Sequence, residues 1–104
     1  MIRHCVFVRF IPQTTDDAKH ALYQEIANLQ DRLPGMIAVH IGSNVSPETG
    51  MDKGYADGFM VDFTDAGARD DYLADPEHQK TGAKLVAAAL GGIDGVLVYD
   101  LQVD

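Results

Sequence analysis

The stretch Ile2-Arg3-His4-Cys5-Val6-Phe7-Val8-Arg9-Phe10-Ile11 divides into two interleaved sets. With a side-chain period of two, Ile2, His4, Val6, Val8 and Phe10 share one face, and Arg3, Cys5, Phe7, Arg9 and Ile11 share the other. Residues 2–11 are therefore expected to form a strand with apolar side chains on both faces. Pro12 closes it. Thr14 or Thr15 can then cap a helix, Asp16 and Asp17 suit its positive end, and Ala18, Leu22, Ile26, Leu29 and Leu33 line one stripe at helical spacing. Pro34 and Gly35 stop that helix, and residues 36–45 read as a second strand carrying His40. Residues 46–54, rich in Pro, Gly and charge, read as a surface loop.

A third strand over 55–63 places Tyr55, Asp57, Phe59, Val61 and Phe63 on one face and Ala56, Gly58, Met60 and Asp62 on the other. Thr64 or Asp65 caps a short helix to Ala74. Asp75 caps the next, with Pro76 at its first position, where a missing N–H does least harm. That helix is expected to reach Leu90, before Gly91 and Gly92 break it and residues 93–103 form a fourth strand. The order strand, helix, strand, strand, helix pair, strand is the split βαβ arrangement of α+β, ferredoxin-like folds: a four-stranded antiparallel sheet with helices on one face. The other face still carries Cys5, Phe7 and Met60. A second copy packed sheet to sheet would cover it, so the expected assembly is a homodimer, a dimeric α/β barrel.

One domain spanning 1–104 is what 104 residues allow. The 46% hydrophobic and 23% charged content is that of a globular chain, not a disordered one. A net charge of -8 opposes phosphate backbones and anionic lipid, so neither nucleic acid nor membrane is an expected partner. No apolar run approaches the ~20 residues of a membrane helix. The single Cys5 cannot form an internal disulfide, which makes a reducing, cytoplasmic setting the expectation, with Cys5 a small hydrophobe on the barrel side. The four histidines at 4, 20, 40 and 78 lack metal-ligand spacing, and no glycine-rich turn follows a strand, so neither a metal nor any other cofactor is expected.

His78 shares a helix face with Gly82, Leu85, Val86 and Ala89, and points inward. His4 and Asp57 enter the same apolar layer from strand faces that helices should cover. Two readings follow. One is an internal hydrogen-bond network, since buried polar groups must be satisfied. The other is a small cavity with convergent polar groups, the usual form of a small-molecule site.

The segment DYLADPEHQK, residues 71–80, carries Tyr72, Pro76 and His78 in a spacing that resembles the stress-responsive A/B barrel family, also called the dimeric α/β barrel domain. His4 in HCVFVRF, Asn28-Leu29 and Pro34-Gly35 in ANLQDRLPG, the SNVSPE loop, Gly54-Tyr55 and Phe63 in VDF fall where that family has similar residues. The resemblance covers nearly the whole chain. It implies a ferredoxin-like protomer, a sheet-to-sheet homodimer and a pocket between sheet and helices, in a family many of whose members have no assigned biochemical role. One member, a plant olivetolic acid cyclase, closes a linear polyketide by aldol condensation. The resemblance to it implies catalytic roles for the residues matching Tyr72 and His78, and His4 matches its first-strand histidine. This chain departs at Asp57, where the cyclase has His, and at Asp75, where many members have His.

A Tyr-His pair has a definite chemistry: a neutral imidazole removes a proton beside a carbonyl while the phenol donates to the developing enolate oxygen. The expected catalytic residues are His78 and Tyr72, with His4, Tyr23, Asp57 and Phe59 contacting the substrate. Three functions fit: an A/B barrel domain of unassigned role, a cofactor-independent polyketide cyclase or lyase acting on a β-keto substrate, or a non-catalytic binder of a small apolar ligand.

Overall fold

A computed structural model describes residues 1–104. The first strand, β1 (Ile2–Val8), lies inside an antiparallel sheet of order β2-β3-β1-β4, where β2 is Met36–Ser43, β3 is Asp57–Phe63 and β4 is Val96–Gln102. Both neighbours of β1 run antiparallel to it, with His4 opposite Val61 on β3 and Asp100 on β4. Helices α1 (Asp16–Asn28), α2 (Ala66–Ala74) and α3 (Pro76–Ala88) complete the split βαβ, ferredoxin-like fold. All three expected caps form. Thr15 accepts from Ala18 N, Asp65 from Ala68 N and Asp75 from His78 N, with Pro76 at the start of α3. Each cap satisfies a backbone N–H that has no partner within its helix.

Several elements are shorter than their sequence patterns. β1 ends at Val8 because the chain then leaves β3: Arg9 N donates to Gly95 O, Ile11 N donates to Ala88 O, and Phe10 bridges Ala89. α1 tightens after Asn28 into a 3-10 turn (Leu29–Asp31), with Arg32 N and Leu33 N both bonding Leu29 O ahead of Pro34. Gly91 and Gly92 adopt φ of 78° and 67°, and the short turn Gly92–Gly95 that follows delays β4 to Val96. Left-handed backbone of this kind is open to glycine at little cost.

The helix-covered face buries Ile2, Val6, Val8, Phe59, Val61, Phe63 and Met36 against Leu22, Ile26, Leu29, Tyr72 and Leu85. Full burial of one such side chain contributes about 1.5–3 kcal/mol. The opposite face carries Phe7, Met60, Leu97, Tyr99 and Leu101 without a helix over it. Cys5 lies there too, yet is itself buried, between Met60 and Tyr99. Among its neighbours on that face is a charged group whose face the alternation gave but whose partners it did not. Asp62, 4% exposed, is gripped by Arg3 through Nε (2.8 Å) and Nη2 (3.1 Å), and contacts His40 Nε2 at 3.0 Å. The Arg3 bonds hold its carboxyl below the usual carboxylate range against the upward push of burial, helped by His40.

Candidate functional site

α2 ends where α3 begins. Asp75 alone separates them, in an extended conformation (φ -67°, ψ 127°), and acts as the last residue of one cap and the first of the other. Tyr72 in the last turn of α2 and His78 in the first turn of α3 are thereby folded onto each other, with ring centroids 3.9 Å apart and planes inclined by 37°. Tyr72 is fully buried, wedged against Phe63 (5.0 Å) and edge-on to His4 (5.6 Å). His78 is half-buried. Beside it on α3, a methyl group at Gly82 would meet nothing within 4 Å, so the helix leaves space one turn on.

Two atoms of this cluster are polar, buried and without any hydrogen bond: Tyr72 Oη and His78 Nδ1. Burial pushes the Tyr72 phenol far above its ordinary value, so it stays a donor through the whole physiological range. Burial, then the neighbouring His4, pulls His78 below 6.5, against smaller opposing pulls from Asp75 and the Leu73 backbone. At pH 7 it is neutral, a base and not an acid. A phenol that keeps its proton to donate and an imidazole nitrogen that can accept thus stand side by side in an apolar setting.

His4 is held differently. Its Nδ1 lies 2.7 Å from Asp100 Oδ1, and Asp100 Oδ2 accepts from Arg69 Nη1 at 2.8 Å. Burial raises Asp100, but the bonds from Arg69 and His4 outweigh it and keep the carboxylate ionised. An ionised acceptor at Nδ1 assigns a proton there and fixes the ring so that Nε2 is the atom left free. Neither Asp100 nor Arg69 was among the expected site residues. The register carries the signal: β4 is the edge strand beside β1 in this topology, which sets residue 100 across from residue 4.

The other expected residues gather elsewhere. Asp57 is on the helix-covered face, but opposite Val8, four positions along β3 from the Val61 that faces His4. At ~3.3 Å per residue that is ~13 Å away. There it pairs with Lys19 Nζ (3.1 Å) and accepts from Ser43 Oγ (3.1 Å). Tyr23 packs edge-on to Phe59 (6.0 Å) and Phe10 (6.4 Å) at that same end. Its buried Oη also has no hydrogen bond, and burial together with the Asp57 charge pushes its phenol up to about 12. The structure thus divides the six residues into a His4, Tyr72, His78 group and a Tyr23, Asp57, Phe59 group.

Two surface concavities flank these groups. One of about 560 Å3 lies on the sheet face away from the helices, bordered by Phe7, His40, Met51, Met60 and Tyr99. The second, about 430 Å3, opens where β1 ends, beside Phe10, Lys19 and Asp57. Neither is lined by His4, Tyr23, Tyr72 or His78. No group of three or more His, Cys, Asp or Glu side chains is placed to hold a metal ion, and no helix is long and apolar enough to cross a membrane.

The fold agrees with a family comparison, in which residues 2–103 match the model of the stress responsive A/B barrel domain. The chain belongs to that family. This A/B barrel domain is similar to a dimeric ferredoxin-like protein of unknown function from Jannaschia sp., with 33% identity, 98% of each chain covered and a TM-score of 0.90. It is also similar to a protein from Arabidopsis thaliana, at 26% identity over 100% of this chain and 96% of the other, TM-score 0.87. A hydroxynitrile lyase from Passiflora edulis shares the fold at 17% identity, covering 99% of this chain and 93% of its own, TM-score 0.82. Among curated proteins none matches the sequence. The domain's biochemical role is unassigned by these relatives, so the site's own groups must argue it.

Proposed function

We propose that this A/B barrel domain is a homodimer that takes a small carbonyl compound between sheet and helices, and that Tyr72 and His78 carry out cofactor-independent proton transfer on it. The observation that carries this reading is the pair of buried, unpaired polar atoms, Tyr72 Oη and His78 Nδ1, on rings 3.9 Å apart. A buried donor or acceptor left without a partner costs about 1–3 kcal/mol, and a ligand that accepts from the phenol and meets the imidazole recovers that cost.

In the reaction this favours, Tyr72 Oη–H donates to a ketone oxygen and neutral His78 Nδ1 removes a proton from the adjacent carbon. The electron pair of that C–H bond becomes the enolate π-bond, with the charge on the oxygen that Tyr72 holds. Attack of the enolate carbon on a second carbonyl of the same molecule forms the new C–C bond, and the imidazolium returns its proton to the alkoxide. That is an aldol-type cyclase, and its reverse is a lyase. A β-keto or polyketide-like substrate suits it because its flanked methylene is acidic. Asp100-oriented His4, edge-on to Tyr72, would contact the same ligand through Nε2.

The dimer rests on the exposed apolar residues of the helix-free face, Leu97, Tyr99 and Leu101, each more than 40% exposed, and on the dimeric state of the Jannaschia protein. A second reading, a non-catalytic binder of a small apolar ligand, is favoured by one fact: the open concavity of about 430 Å3 where β1 ends can hold a ligand that touches neither Tyr72 nor His78. The test combines thermal shift with β-keto acids and alkyl ketones and deuterium uptake from D2O at their α-carbons. Wild type should show both responses, and Tyr72→Phe and His78→Ala should lose the uptake. Stabilisation without uptake would leave the binder, and neither response would end both readings.

A further inference from the structure

We propose that Arg32 is a positioning residue for His78, acting through Asp75; this rests on the reading of Tyr72 and His78 as the site. Arg32 directly follows the 3-10 turn after α1, and reaches across to the α2-α3 junction. Its guanidinium grips Asp75 with two parallel bonds, Nη1 to Oδ1 at 3.0 Å and Nη2 to Oδ2 at 2.9 Å. The same Oδ2 accepts the backbone N–H of His78 at 3.0 Å. Only 7% of the Asp75 side chain is exposed, against half of Arg32, so the carboxylate is fixed from the inside by the helix it caps and from the outside by the fork. A bidentate guanidinium sets both the position and the plane of a carboxylate, which a lysine cannot do.

Asp75 is the sole residue between α2 and α3, so its placement sets how Tyr72 and His78 meet. Its charge poses a second problem. A carboxylate at the first turn favours imidazolium, which would disable a base. The guanidinium cancels much of that field at its source. The other charged or titratable groups around His78 are Glu77 on its own turn, His4 from β1 and Tyr72 from α2, and beyond His4 the Asp100-Arg69 pair. None of these bonds Asp75 as Arg32 does. Arg32 therefore lets an acidic cap, the best kind for an N-terminus, coexist with a neutral histidine three residues on.

The experiment is a pH titration of the histidine ring C–H signals by NMR in wild type, Arg32→Gln, Arg32→Lys and Asp75→Asn. Removing the guanidinium should raise the His78 midpoint by about 0.3–0.5 pH unit, with Arg32→Lys between wild type and Arg32→Gln. Asp75→Asn keeps a capping side chain but removes the charge, so it should lower the midpoint. Exposed His20 on α1 should not move in any variant. Ring-to-ring cross-peaks between His78 and Tyr72 should weaken in Arg32→Gln and be largely kept in Asp75→Asn. A His78 midpoint within 0.1 unit of wild type in Arg32→Gln would overturn the proposal. Were that variant unfolded, an unchanged midpoint in both Arg32→Lys and Asp75→Asn would overturn it equally. The titration needs no ligand, so failure of the carbonyl reading shows in the uptake assay and failure of this one in the midpoints.

Discussion

Replacing Tyr72 by Phe should make the protein more stable, and the sign is what makes the experiment informative. The phenol is fully buried and its oxygen meets no donor or acceptor. Its desolvation therefore costs about 1–3 kcal/mol that no hydrogen bond returns. Phenylalanine keeps the ring contacts with Phe63 at 5.0 Å and His4 at 5.6 Å, and gives up only the volume of one oxygen. At ~24 cal/mol per Å3, a void of ~10 Å3 costs ~0.2 kcal/mol. The balance is a gain of about 1–3 kcal/mol, which in a domain of this size raises Tm by roughly 4–8 °C for each kcal/mol. Urea unfolding of both proteins at one protomer concentration, followed by circular dichroism, reads the difference, with an unchanged slope as the sign that only stability has moved. In the same variant the deuterium uptake assigned to the site should vanish. A loss of more than about 1 kcal/mol would mean that the hydroxyl does have a partner in the core, and the argument from an unpaired donor would fall.

His78, pulled below 6.5 in the folded state chiefly by burial, binds fewer protons there than in the unfolded chain, so its contribution is full above pH 6.5 and is lost as pH falls through that value towards the folded midpoint. The wild-type minus His78→Leu stability difference should slope downward only in that window, and a flat difference would refute the shift. Met60→Lys and Phe7→Asp should halve the mass seen by light scattering, towards the 11.3 kDa of one chain, because both side chains sit on the helix-free face. Dimers persisting in both variants would mean that another surface joins the copies. At Gly58 an added methyl would lie 2.6 Å from Phe7 Cδ1 and 2.7 Å from Val6 O, so Gly58→Ala should cost about 1–3 kcal/mol of stability, read by the same urea unfolding. A neutral result there would show that β1 and β3 can part without cost.

What the sequence made legible is what depends on neighbours in the chain. The face alternation of β1 and the caps at Thr15, Asp65 and Asp75 follow from spacings of a few residues, where helix and strand periods hold, whereas the pairing of Tyr72 with His78 comes from the family resemblance. Asp57 marks where that logic ends. Alternation placed it on the right face, but a face is a stripe along the whole strand, and only the register with β1 says that Asp57 meets Val8 while His4 meets Val61. Its partner Lys19 comes from helix α1, 38 positions away.

The same limit hid the groups that tune the site. Asp100 is 96 positions from His4, and Arg32 is 43 from Asp75, so no local pattern links either pair. Both become readable once the topology is fixed, because the split βαβ order puts the first and last strands side by side and brings the end of α1 against the α2-α3 junction. In each case a histidine touched by an acidic group is accompanied by an arginine on that acid: Arg69 on Asp100 behind His4, and Arg32 on Asp75 beneath His78. In a chain with net charge -8, carboxylates are plentiful and would hold buried imidazoles protonated. Placing scarce arginines on those two carboxylates keeps one histidine oriented and the other neutral, which is the condition a base needs.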